Sequence, residues 1–115
     1  MSAGKKTVKI RELATARSGD KGNHANIGVV ARDAAAYEIL SSRLTAVRVQ
    51  DFFSSLGVSR VERFELPKVQ ALNFVLYDAL AGGASRSLRI DTQGKLLGTA
   101  ILELTLSIDA ELSQP

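Results

Sequence analysis

Two alternating apolar runs, Val8 and Ile10 through Ala14 and then Ile27, Val29 and Ala31, flank a polar stretch from Ala16 to Asn26. Alternation with a period of two marks strands that bury one face. Two such runs in succession predict a β-hairpin, with strands over about 7–15 and 26–32. The second run is apolar at Val30 as well as at Val29, which predicts a central strand buried on both faces. Gly28 within it carries no side chain and lets another group approach closely.

The stretch between the runs is longer and more polar than a hairpin tip needs, since about two to five residues suffice. It gathers Arg17, Ser18, Gly19, Asp20, Lys21, Gly22, Asn23 and Asn26 around His24, the chain's one histidine. Gly19 and Gly22 would let successive backbone N–H groups turn toward one point, forming a nest that attracts anions. Arg17 and Lys21 add formal positive charge. Asp20 could orient one of them, or cap the turn through its own backbone. The same composition also suits a solvated turn with no further role. His24 is the candidate acid or base of the stretch. With no second histidine and no cysteine, the sequence argues against a metal site.

Composition narrows the rest. The 115 residues are read as one domain, 1–115, with polar ends at 1–6 and 110–115 expected to be mobile. A chain of this size can bury a core without covalent staples. The absence of cysteine excludes a disulfide framework and a thiol nucleophile, and suits a cytoplasmic protein. The start lacks the apolar segment of a secretory signal, and no run approaches the ~20 apolar residues of a membrane span. The net charge of +3 is scattered, and aromatic residues make up 5% of the chain. Nucleic-acid binding calls for a basic face with stacking rings, so it is not expected.

Further along, Asp33 is placed to cap a helix in which Tyr37, Leu40 and Leu44 follow helical spacing. Thr45 caps a second helix, where Val49, Phe52, Phe53 and Leu56 form an apolar stripe and Gly57 supplies the stop. Val58–Leu66 reads as a strand with Phe64 and Leu66 on one face. Pro67 suits the first turn of a helix over about 68–81, with Val69, Leu72, Leu76 and Leu80 on one face. On that helix Asn73 lies about 40° from Val69, and a buried amide needs partners. It either pins a neighbouring loop or faces a ligand. Gly82 and Gly83 follow, with Arg86 among further donors, then a short strand at Leu88 and Ile90 and a turn at Asp91–Lys95. The last strand alternates Ala100, Leu102, Leu104, Leu106 and Ile108, with Ile101 out of pattern. The order β-β-α-α-β-α-β-β predicts an α+β two-layer sandwich, ferredoxin-like, with a mainly antiparallel sheet and helices on one face. The other face is semi-polar and could meet a second chain.

Several of these stretches resemble one family. Ala16–Asn23, Ala25–Val29, Leu66-Pro67, Ala71–Leu76, Gly82-Gly83, Ser87–Asp91 and Gln93–Lys95 occur in order as in the AtuA-like ferredoxin-fold domain. This domain ends acyclic terpene utilisation proteins or stands as a short chain beside them, and the resemblance spans roughly residues 8–108. It implies a ferredoxin-like fold and a role in the catabolism of branched or terpenoid acyl-CoA compounds. The catalytic work would fall to a larger AtuA-type partner, with no resident cofactor in this chain and a CoA thioester as substrate. The resemblance makes Arg17, Ser18, Gly19, Asp20, Lys21, Gly22, Asn23, Asn26, Asn73, Gly82, Gly83 and Arg86 the expected contacts to an anionic ligand or to that partner. The alternative is a ligand-sensing or oligomerising module, active as a homo-oligomer and not catalytic by itself.

Overall fold

In chain order the elements are β1 (Lys5–Lys9), a 3-10 turn at Ile10–Glu12, β2 (Ala14–Lys21), β3 (His24–Ala31), α1 (Ala34–Arg43), α2 (Ala46–Phe52), β4 (Arg60–Leu66), β5 (Ala71–Tyr77), α3 (Lys95–Ile101) and β6 (Thr105–Asp109). They come from a computed structural model that describes residues 5–21, 24–78 and 95–109. β1 and β6 form an antiparallel two-stranded ribbon. The main sheet has the order β2-β3-β5-β4, antiparallel throughout.

The first alternating run is not one strand. Lys9 N–H donates to the Glu12 carboxylate at 2.9 Å, and Leu13 N–H donates to Ile10 O at 2.8 Å. That tight turn moves the chain from the ribbon into the main sheet. β2 then continues through the polar stretch, in register with β3 from Ala14↔Ala31 to Lys21↔His24. Arg17, Ser18 and Gly19 therefore lie on a strand, where a long loop was expected. Gly22 and Asn23, between the two strands in sequence, lie outside the described residues.

Within the expected helix over 68–81, residues 71–77 form a strand, and 79–81 lie outside the described residues. Pro67–Val69 makes one 3-10 turn, and Gln70, at φ 54°, swings the chain back along β4. β5 then pairs with β3 on one side and β4 on the other. Leu72, Phe74 and Leu76 are each 0% exposed, whereas Val69, the proposed start of the helical stripe, is 63% exposed. Burial follows a period of two, and Phe74, Val75 and Tyr77 are residues that fit a pleated surface.

Caps appear where the sequence places them. The Asp33 carboxylate accepts from Ala36 N–H at 2.8 Å and Thr45 Oγ1 from Arg48 N–H at 3.1 Å. Gly57, at φ 75°, closes the turn after α2. Arg63 on β4 donates to Ser41 O at 2.8 Å and Leu44 O at 3.2 Å, satisfying carbonyls at the end of α1.

The C-terminal run splits in two. Leu97 and Ile101 are buried one helical turn apart on α3, and β6 begins only at Thr105. Ile101, out of pattern for a strand, is in pattern for a helix. The proposed strand at Leu88 and Ile90 lies outside the described residues.

The three described helices cover one face of the main sheet, α1 against β3 and β5, α2 against β4 and α3 against β2. The ribbon adds Val8, Leu106 and Ile108 to the same core. The result is α+β, with helices on one face of an antiparallel sheet. β3 is central, as expected, but buried on one face only: Ile27 and Val29 are 0% exposed and Val30 is 46% exposed. Among the described residues no helix is long and apolar enough to cross a membrane.

The tightest approach between layers is at Gly98. Its N–H donates to Ser18 Oγ at 2.8 Å. A Cβ there would fall 3.0 Å from both Ser18 N and Ser18 Oγ and 3.1 Å from the Arg17 carbonyl carbon. Backbone cannot yield as a flexible side-chain tip would. Gly98→Ala gains about 1 kcal/mol of helix propensity but incurs overpacking of about 1–3 kcal/mol. The expected result in urea denaturation is a net loss of about 1 kcal/mol. A gain in stability would show that α3 does not approach β2 this closely.

Candidate functional site

The pleat assigns each side chain of the main sheet to the helix side or to the open side. The buried residues of β3 and β5 mark the helix side. The registers then place successive rows on the open side. The middle row runs Arg17, Gly28, Asn73, Phe64 across β2, β3, β5 and β4. The next runs Gly19, Asn26, Val75, Glu62. His24 and Tyr77 lie beyond it at the ends of their strands, with Arg60 opposite Tyr77.

Each asparagine stands across from a glycine. A Cβ on Gly19 would meet Asn26 Oδ1 at 3.3 Å, and one on Gly28 would meet Asn73 Oδ1 at 3.8 Å. At Gly19 the bare backbone leaves room for the Asn26 amide to lie over the neighbouring strand, and at Gly28 even a Cβ would only touch the Asn73 amide. Together they border a concavity of about 490 Å³, lined by Gly19, His24, Asn26, Asn73, Val75 and Tyr77. That volume falls within the ~300–1,000 Å³ of small-molecule sites.

His24 is fixed at one end of this concavity. Its Nδ1 accepts from Asp78 N–H at 3.0 Å. Asp78 leaves β5 in the left-handed region, at φ 65°, a conformation aspartate adopts more readily than most residues. Ser59 Oγ holds it there by donating to the Asp78 carboxylate at 2.7 Å. The His24 ring meets the Tyr77 ring edge to face, with centroids 4.9 Å apart. The Arg60 guanidinium lies 4.2 Å from the Tyr77 centroid, and the Tyr77 hydroxyl donates to Glu62 at 2.5 Å. Tyr77 is thereby held through its ring and its hydroxyl.

The structure thus brings Gly19, His24, Asn26 and Asn73 to one concavity, with Arg17 on the same face in the row of Asn73. Arg17 is exposed and has no ion-pair partner among the described residues. Ser18 is placed elsewhere: it lies on the helix side, and its Oγ accepts from α3. Asp20 and Lys21 hold backbone positions in β2, but their side chains are outside the described parts. Gly22, Asn23, Gly82, Gly83 and Arg86 also lie outside the described residues. Sequence reasoning missed Val75, Tyr77 and Asp78, whose place depends on reading 71–77 as a strand. The spacing of Val75 and Tyr77 with Asn73, every second residue, was the available signal. Among the described residues no group of three or more His, Cys, Asp or Glu side chains could hold a metal ion.

Comparison with known proteins agrees with this architecture. The family described as AtuA ferredoxin-like domain matches residues 8–107. No curated protein and no solved structure matches the chain.

Because Nδ1 of His24 is an acceptor, the neutral ring carries its proton on Nε2. As the chain has one histidine, long-range ¹H–¹⁵N spectra of the neutral ring report this tautomer without ambiguity. The Nε2–H form is expected. A predominant Nδ1–H form would show that the contact to Asp78 is not made.

Proposed function

The chain belongs to the AtuA ferredoxin-like domain family, and on that premise we propose that it is an accessory domain or small subunit of an enzyme handling branched or terpenoid acyl-CoA compounds. Its open sheet face would contact the ligand or the larger partner. One observation carries this reading: residues from β3 and β5, brought together by register, put two amides and an imidazole around one concavity on a face that no described helix covers. A fold positions such groups at no benefit to its own core. Asn26 is exposed and Asn73 half-buried, so neither amide is demanded by packing.

The lower part of the same face is apolar. Phe64 is 46% exposed, Leu66 44% and Val30 46%. This favours a second reading in which the face also meets protein, either the large AtuA-type subunit or another copy of this chain. The two readings are compatible, since a site at a subunit junction needs both a polar recess and an apolar rim. The chain would then be a contributor to a site completed by its partner, and not a catalyst by itself.

The test pairs binding with co-purification. Asn73→Ala and Lys21→Ala are expected to leave Tm within about 3 °C of the parent. They should reduce binding of isovaleryl-CoA, or of the large AtuA-type protein, by about tenfold or more. Failure of the parent chain to bind either one would contradict the subunit reading. Unfolding of both variants would assign these residues to the fold instead.

A further inference from the structure

The chemistry of the recess narrows what it can hold. The inference rests on the acyl-CoA reading and asks which part of such a molecule enters. None of its described lining residues brings a carboxylate, ammonium or guanidinium to the surface. Arg60 lies over Tyr77 and has Glu62 at 3.8 Å, and Arg17 stands outside the lining. Phosphate sites are ordinarily built from Arg, Lys or a helix N-terminus, and none of these lines the recess among the described residues.

The three polar groups are alike in another way: all can present uncharged donors. The Asn26 and Asn73 side-chain oxygens rest over Gly19 and Gly28, which leaves the NH₂ groups for a ligand. His24 accepts at Nδ1 from Asp78, which leaves Nε2–H. Val75 and the Tyr77 ring supply apolar wall between them. Uncharged donors on an apolar floor match uncharged acceptors, namely amide and thioester carbonyls joined by methylene groups.

We infer that the recess between Gly19, Asn26, Asn73 and His24 binds the amide-and-thioester arm of an acyl-CoA, with the phosphates held outside it. The arm's carbonyl oxygens accept from the two amides and from Nε2–H. Gly19 makes room for the Asn26 amide, since a Cβ there would fall 3.3 Å from Asn26 Oδ1, whereas a Cβ on Gly28 would make only an ordinary 3.8 Å contact with Asn73 Oδ1.

The experiment tracks the Asn26 and Asn73 side-chain NH₂ resonances and the His24 ring in ¹H–¹⁵N spectra of the full chain. Three probes are compared: isovaleryl-CoA, S-isovaleryl-N-acetylcysteamine (the arm without phosphate), and adenosine 3′,5′-bisphosphate (phosphate without the arm). Isovaleryl-CoA and the cysteamine thioester should both shift these resonances, the fragment with Kd on the order of a millimolar. The bisphosphate should leave them in place. Asn73→Asp, which replaces a donor by an anionic acceptor, should weaken the fragment at least about tenfold. Asn73→Gln, which keeps the amide, should retain part of the binding. If isovaleryl-CoA binds but the cysteamine thioester leaves these resonances in place, whether or not the bisphosphate moves them, the assignment of the recess is overturned and the subunit reading stands. If isovaleryl-CoA moves nothing in the chain, alone or with its large partner, both are overturned.

Discussion

The placement of β5 between β3 and β4 determines the make-up of the open face. Leu72, Phe74 and Leu76 are fully buried against the helices, each worth about 2 kcal/mol in apolar area removed from water. Strand geometry then leaves no choice for the residues between them. Asn73, Val75 and Tyr77 must face the other way, and slipping β5 by one residue would put Asn73 and Tyr77 into the core. The burial of three apolar side chains thus decides which β5 residues face the recess.

Glycine clearance is graded across the two faces of the sheet. At Gly98 a Cβ would strike backbone at 3.0 Å, at Gly19 an amide oxygen at 3.3 Å, and at Gly28 an amide oxygen at 3.8 Å. The first serves the packing of α3 on β2. The other two serve the open face, where the neighbour is a side chain able to shift. Ser18 and Gly19, adjacent in sequence, therefore belong to different layers: one meets a helix, the other makes room for Asn26. A polar cluster that looks uniform along the chain is divided by the pleat into a structural half and a solvent-facing half.

This division explains what could be read from the sequence. The caps at Asp33 and Thr45 and the stop at Gly57 are local chemistry, and they stand where expected. The β2–β3 hairpin and the α+β class were legible from alternation and element order. The polar stretch looked like a loop because strands with one uncovered face carry polar residues at alternate positions, and here Ser18 adds another on the covered face. The 68–81 segment was ambiguous because Val69, Leu72 and Leu76 fit helical spacing while Leu72, Phe74 and Leu76 fit a strand. The aromatic and β-branched content of Phe74, Val75 and Tyr77, together with the length of the run, should have decided for the strand. Ile101 gave the same kind of warning in the last segment. Contact between Asn73 and the first hairpin was expected through a helix, and it is achieved through strand pairing instead.

The central claim is that residues 71–77 form an inner strand that carries Asn73 onto the same face as Asn26. Backbone NOEs in the folded chain test it most directly. Cross-strand contacts from Asn73 to Gly28 on one side and to Phe64 on the other are the result this structure requires. Continuous sequential amide–amide NOEs through this segment, with no contact to β3, would mean a helix there and would remove the recess altogether.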